Sequence, residues 1–160
     1  MRLLFGIVLF CLSAFAYAEP AIDLVRIIKS DHKLQLISSG KIHYEFEIAL
    51  GSHPMGHKMQ EGDGKTPEGN YKLDYRKSNS AFYKAFHISY PNTNDLASAK
   101  VLGVNPGGNI MIHGQKNGLG WLAFASQHFD WTNGCVALKN SDIDLMWKFV
   151  REGTTVEISP

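Results

Sequence analysis

The sequence predicts a mainly β domain, a sandwich or barrel, with one good α-helix late in the chain. Three observations predict it. Residues 41–50 alternate strictly between apolar and polar, several short strand-like segments are parted by turn formers, and a helical apolar period appears only after residue 140.

Taken in order, residues 24–28 and 33–37 read as the first strands. Ser38-Ser39-Gly40 then supplies a turn into the third. In that third strand Ile42, Tyr44, Phe46, Ile48 and Leu50 fall on one face, and Lys41, His43, Glu45 and Glu47 on the other. Further strands are expected at 70–75, 86–90 and 109–113. Asn140 or Ser141 can cap a helix whose Ile143, Met146, Trp147 and Val150 follow the i, i+3, i+4, i+7 spacing. Gly153 stops it, and 154–158 reads as a closing strand.

Composition narrows the function. Lys+Arg number 16 against Asp+Glu 15 over 160 residues, which leaves no electrostatic case for a nucleic-acid partner. Residues 1–18 differ from the rest. Arg2 is followed by a nearly unbroken apolar run to Ala16, and Ala16-Tyr17-Ala18 places small residues where a signal peptidase reads. The run is shorter than the roughly 20 residues that span a bilayer. Residues 1–18 are therefore expected to be a secretory signal cleaved after Ala18. Residues 19–160 are expected to form a single exported domain in the periplasm or cell envelope, with no transmembrane span left after signal removal. The oligomeric state is not readable.

Removing the signal removes Cys11 and leaves Cys135 alone. In an oxidising compartment a lone thiol is buried, paired between molecules, or kept for its reactivity. Its neighbours carry the argument. Residues 51–69 form the longest irregular stretch, with His53, His57, Asp63 and Glu68, but their spacing fits no compact zinc pattern. No metal and no cofactor are expected. Gly64-Lys65-Thr66-Pro67-Glu68-Gly69 by itself specifies a turn.

His113 ends an apolar strand and is followed by Gly114, which fixes a ring yet leaves it reachable. Cys135 follows the turn Thr132-Asn133-Gly134 and precedes apolar Val136-Ala137-Leu138. A free thiol has a pKa of about 8.5, so a neighbouring imidazole must take its proton before it can attack a carbonyl. The Gly114 carbonyl can hold the other imidazole nitrogen. Amides of Asn133, Gly134 and Cys135 can converge on a developing oxyanion. Taken singly, His113 can equally be a satisfied core histidine and Cys135 an inert small hydrophobe. A metal centre of His113, His128 and Cys135 is a further alternative, for which no full ligand set is visible.

Three pieces in order, Gly64-x-Thr66-Pro67-x-Gly69, Ile112-His113-Gly114 and Thr132-x-Gly134-Cys135-Val136-x-Leu138, give the chain its resemblance to the L,D-transpeptidase (YkuD-type) family of cell-wall enzymes. The resemblance implies that family's β-sandwich or barrel and peptidoglycan stem peptides as partners. It also implies Cys135 as the thioester-forming nucleophile, His113 as base, Gly114 as its orienter and the Asn133–Cys135 amides as oxyanion hole. Two positions depart from the better-known branch, which carries His and Arg where this chain has Asn133 and Ala137. Loss of the Arg removes a bidentate carboxylate binder. Asp130, Trp131, Thr132 and Ala137 are the expected groove residues, with packing an equal alternative for Trp131. The expected reaction is acyl transfer. A hydrolase that trims stem peptides or releases wall-attached protein is the alternative, and a non-catalytic wall-binding module is another.

Overall fold

A computed structural model of the chain describes residues 19–160; the signal segment expected at 1–18 lies outside the described residues. Strands β1 (Leu24–Ile28) and β2 (Lys33–Ser38) pair antiparallel, and β2 turns into β3 (Lys41–Glu47) through Ser39 and Gly40. Both turn residues have positive φ, +50° and +75°, the twist that a tight hairpin needs. The expected inward face holds at Phe46, Ile48 and Leu50, which are buried. Ile42 is 47 % exposed, because the start of β3 runs past the core.

β4 (Gly69–Ser80) and β5 (Tyr83–Ile88) form a long hairpin, followed by α1 (Thr93–Leu102). The sequence reading omits α1, and the reason is physical. Only Asp95 and Ala99 are buried on it, so it carries no apolar stripe. It is held at its ends instead. The Asn92 side chain accepts from the Asn94 and Asp95 amides, Asp95 returns to the Asn92 amide, and Gly103 closes it at φ +67°.

β6 (Met111–His113), a 3-10 turn (Gly120–Leu122), α2 (Ala123–Ser126) and β7 (Val136–Ala137) follow. α3 (Asn140–Phe149) and β8 (Thr155–Ser159) end the chain. The late helix thus lies where its period places it. α3 buries Ile143 and Met146, and Trp147 meets the edge of Phe86 at 5.3 Å. Each such fully buried side chain contributes about 1.5–3 kcal/mol.

The eight strands make one mixed sheet in the order β3-β2-β1-β8-β4-β5-β6-β7. Its two ends meet. Just beyond β3, Ala49 exchanges both backbone hydrogen bonds with Ala137 of β7, at 3.0 and 2.8 Å, and Gly51 bridges Thr132. The sheet therefore curls into a barrel-like closure around Leu34, Leu36, Leu73, Phe86, Ile112 and Leu138. The mainly β fold with a late helix agrees with the sequence. No described helix is long and apolar enough to cross a membrane.

Candidate active site

His113 closes β6, and strand register fixes where its ring stands. It pairs with Ala85 of β5 on one side and Ala137 of β7 on the other. Its Nδ1 lies 2.6 Å from the Gly114 carbonyl oxygen. A carbonyl only accepts, so Nδ1 carries the hydrogen and Nε2 keeps a lone pair free to take a proton. Gly114 is itself pinned. Its amide donates to the Lys84 carbonyl, and a Cβ there would stand 2.6 Å from Asn140 Oδ1. That Asn140 oxygen accepts from the Gln115 amide at 2.8 Å rather than capping α3.

Cys135 lies at the start of β7, just past Gly134, whose φ of +115° is open only to glycine. Its Sγ accepts from the Met111 amide at 3.4 Å and donates to the Asn109 carbonyl at 3.7 Å. Burial pushes the thiol pKa up, offset in part by the Met111 amide and by the Lys58 charge. Burial likewise pushes the His113 imidazole pKa down, against a smaller upward pull from the Gly114 carbonyl. Burial thus favours the neutral form of each group, and both side chains line one cavity of about 450 Å³.

Beneath this pair the Gly64-to-Gly69 turn forms a floor. A Cβ on Gly134 would stand 2.5 Å from the Lys65 carbonyl oxygen, and one on Gly51 would strike Gly64 O and come within 2.9 Å of Gly134 Cα. Buried Thr66 accepts from the Gly51 amide at 3.3 Å. Asp63 braces the turn by accepting from the amides of Met59, Gln60 and Lys65 and from Lys58 Nζ.

The residues expected at the site divide into two groups. His113, Cys135, Trp131, Thr132 and Asn133 line the cavity together. Thr132 Oγ1 donates to the Cys135 carbonyl at 2.7 Å and accepts from the Gly134 amide at 3.1 Å. That bond occupies the Gly134 N–H, so the converging donors reduce to Asn133 and Cys135, whose amides find no acceptor among the described residues. Trp131 packs edge-on to His113 at 5.8 Å.

Asp130 and Ala137, also expected in the groove, are not among the residues lining this cavity. Asp130 turns to the Leu50 amide at 2.8 Å and to His32 at 3.0 Å, because the Ala49–Gly51 segment needs an acceptor there. Ala137 is fully buried, since β7 is covered by Ala49 on its outer edge. His128 borders a different surface, with His32 and Glu47. Among the described residues, no three His, Cys, Asp or Glu side chains gather to hold a metal.

Sequence reading missed four features: the Asn109 carbonyl, the Met111 amide, Phe82 over His113 at 4.7 Å, and Lys77. The first two are backbone groups with no signature in residue type. The others arrive from the distant β4–β5 hairpin. Asn109 alone left a signal, as a turn former before a strand, and it has φ +54°.

Residues 22–158 match the family model of the L,D-transpeptidase catalytic domain. YafK of Escherichia coli strain K12, which carries the L,D-transpeptidase name, is 31 % identical over 134 residues, covering 82 % of this chain and 44 % of its own. The helical cell shape determining protein Pgp2 of Campylobacter jejuni is 30 % identical, with TM-score 0.66, over 89 % of this chain and 49 % of its own. Bd1075 of Bdellovibrio bacteriovorus shares the fold at 23 % identity and TM-score 0.62, over 88 % of this chain and 48 % of its own. The chain spans less than half the length of these relatives. With the family model matched over nearly the whole described chain, this protein belongs to the L,D-transpeptidase catalytic-domain family.

Proposed function

We propose that this chain is an exported cysteine acyltransferase acting on peptidoglycan stem peptides through a thioester on Cys135. The observation that carries it is the fixed tautomer of His113. Its Nδ1–H is spent on Gly114 O, which leaves Nε2 free as a base on a residue that lines the same cavity as the thiol. Because burial disfavours the charged form of both groups, proton transfer accompanies attack. Sγ bonds to the peptide carbonyl carbon while its proton passes to Nε2, and the Asn133 and Cys135 amides receive the oxyanion. Collapse expels the amine leaving group, which takes the proton back from His113. An incoming amine then resolves the thioester in transfer, or water in hydrolysis.

The test is intact-mass measurement of the protein with defined stem tetrapeptides. Wild type gains the acyl mass and releases the terminal amino acid, whereas Cys135→Ala gains nothing. An adduct elsewhere, or turnover without Cys135, sinks the proposal. Export belongs to the same reading and is checked on protein recovered from the envelope, whose mass is to begin at Glu19.

A further inference from the structure

The Cys135 cavity has one lining side chain with a permanent charge, Lys77 of β4. We propose that Lys77 is a specificity residue that binds a carboxylate of the peptide whose carbonyl Cys135 attacks. This rests on the acyl-transfer reading above.

The carboxylates that contact the β4–β5 hairpin are already committed. Asp74 holds His87 at 2.7 Å, Glu152 holds the Arg76 amide at 2.9 Å, and Asp144 holds Lys84. Among the described residues no carboxylate oxygen lies within ion-pair distance of Lys77. An ammonium without a counter-charge at the rim of a cavity that lacks acids favours an anionic ligand and repels a cationic one. The walls strengthen this, because Phe82 and Trp131 stand beside His113 and lower the local dielectric on that side.

Register supplies the geometry. Lys77 pairs with Ala85, Ala85 with His113, and His113 with Ala137, so the four share one row across β4, β5, β6 and β7. Partners in such a row present side chains to the same face. Lys77 is two strands from the base, about 10 Å between backbones at about 4.8 Å per strand. Ala85 is the one residue between them in that row. An extended peptide crosses that span in about three residues, and the lysine stem shortens it. The bound carboxylate therefore belongs within a few residues of the attacked carbonyl. The opposite end of the row offers no alternative, because Ala137 is fully buried and uncharged.

The experiment measures Cys135 acylation by matched stem tetrapeptides bearing either free carboxylates or carboxamides. The readout is the ratio of the two rates, in wild type, Lys77→Met and Lys77→Arg. The wild-type acid-to-amide ratio is expected at about three to ten, as befits an exposed charge pair. Lys77→Met brings it to about one, Lys77→Arg restores it, and added salt erodes it in wild type. A wild-type ratio near one, or a ratio unchanged in Lys77→Met, overturns the assignment of Lys77 while leaving acyl transfer intact. Failure of wild type to be acylated by either peptide overturns acyl transfer, and the carboxylate site with it.

Discussion

Replacing Asp63 by asparagine removes a charge from the brace beneath the nucleophile. The carboxylate accepts from the Met59 amide at 2.8 Å, Gln60 at 3.1 Å, Lys65 at 3.0 Å and Lys58 Nζ at 2.8 Å. Burial alone would raise its pKa; the Lys58 ammonium and the three amides overcome that and hold it down to about 2 from 3.8. The side chain is 10 % exposed, so solvent screens this little. The shift corresponds to about 2 kcal/mol of folding stability. Asp63→Asn also leaves the Lys58 ammonium, 3 % exposed, without its counter-charge. The expected loss at pH 7 is about 2–4 kcal/mol, or about 5–10 °C in Tm. The sign with pH follows from a folded pKa below the unfolded one. The carboxylate contribution is complete above about pH 4 and is lost as pH falls toward 2, with about half remaining at pH 3. Urea unfolding of wild type and Asp63→Asn at pH 7, 5 and 3 reads this directly. A gap below about 0.5 kcal/mol at pH 7, or one just as large at pH 3, refutes the reasoning.

His113→Ala is expected to slow acylation by about 10²–10⁴-fold with Tm little changed, measured by stopped reactions and intact mass. Because burial raises the thiol pKa, alkylation of free Cys135 by iodoacetamide is expected to be slow at neutral pH and to climb through the alkaline range. A midpoint below pH 7 would instead reveal a resting thiolate–imidazolium pair. Gly134→Ala forces φ +115° on an L residue and drives a methyl to 2.5 Å from Lys65 O, so thermal unfolding should register a loss of about 2 kcal/mol or more. Ala137→Arg is expected to lower stability by several kcal/mol through an unpaired buried charge, in urea or thermal unfolding, rather than to retune products. A variant of wild-type stability with altered products would reverse that expectation.

The contrast between Ala137 and Lys77 marks where residue order stops carrying information about the site. Local patterns sufficed for what neighbours in sequence decide. The alternation at 41–50 and the helical period after Asn140 appear as β3 with its extension and as α3. His113 at a strand end and Cys135 after a glycine turn also line one cavity. Groove membership is a different kind of fact. It depends on which residues face the cavity once β4, β5, β6 and β7 are in register, and a one-residue shift exchanges faces. Position relative to the cysteine nominated Asp130 and Ala137. Both also take part in the closure at Ala49–Gly51, one as acceptor for the Leu50 amide and one as the buried partner of Ala49. Lys77 is remote from Cys135 in sequence and stands in a stretch of exposed polar residues with nothing to distinguish it. The row Lys77–Ala85–His113–Ala137 singles it out, because it sets a lone cation on the face that carries the base. Discrimination among peptides in this chain should accordingly follow substitutions in the β4–β5 hairpin, and substitutions after the cysteine should be felt first as loss of fold.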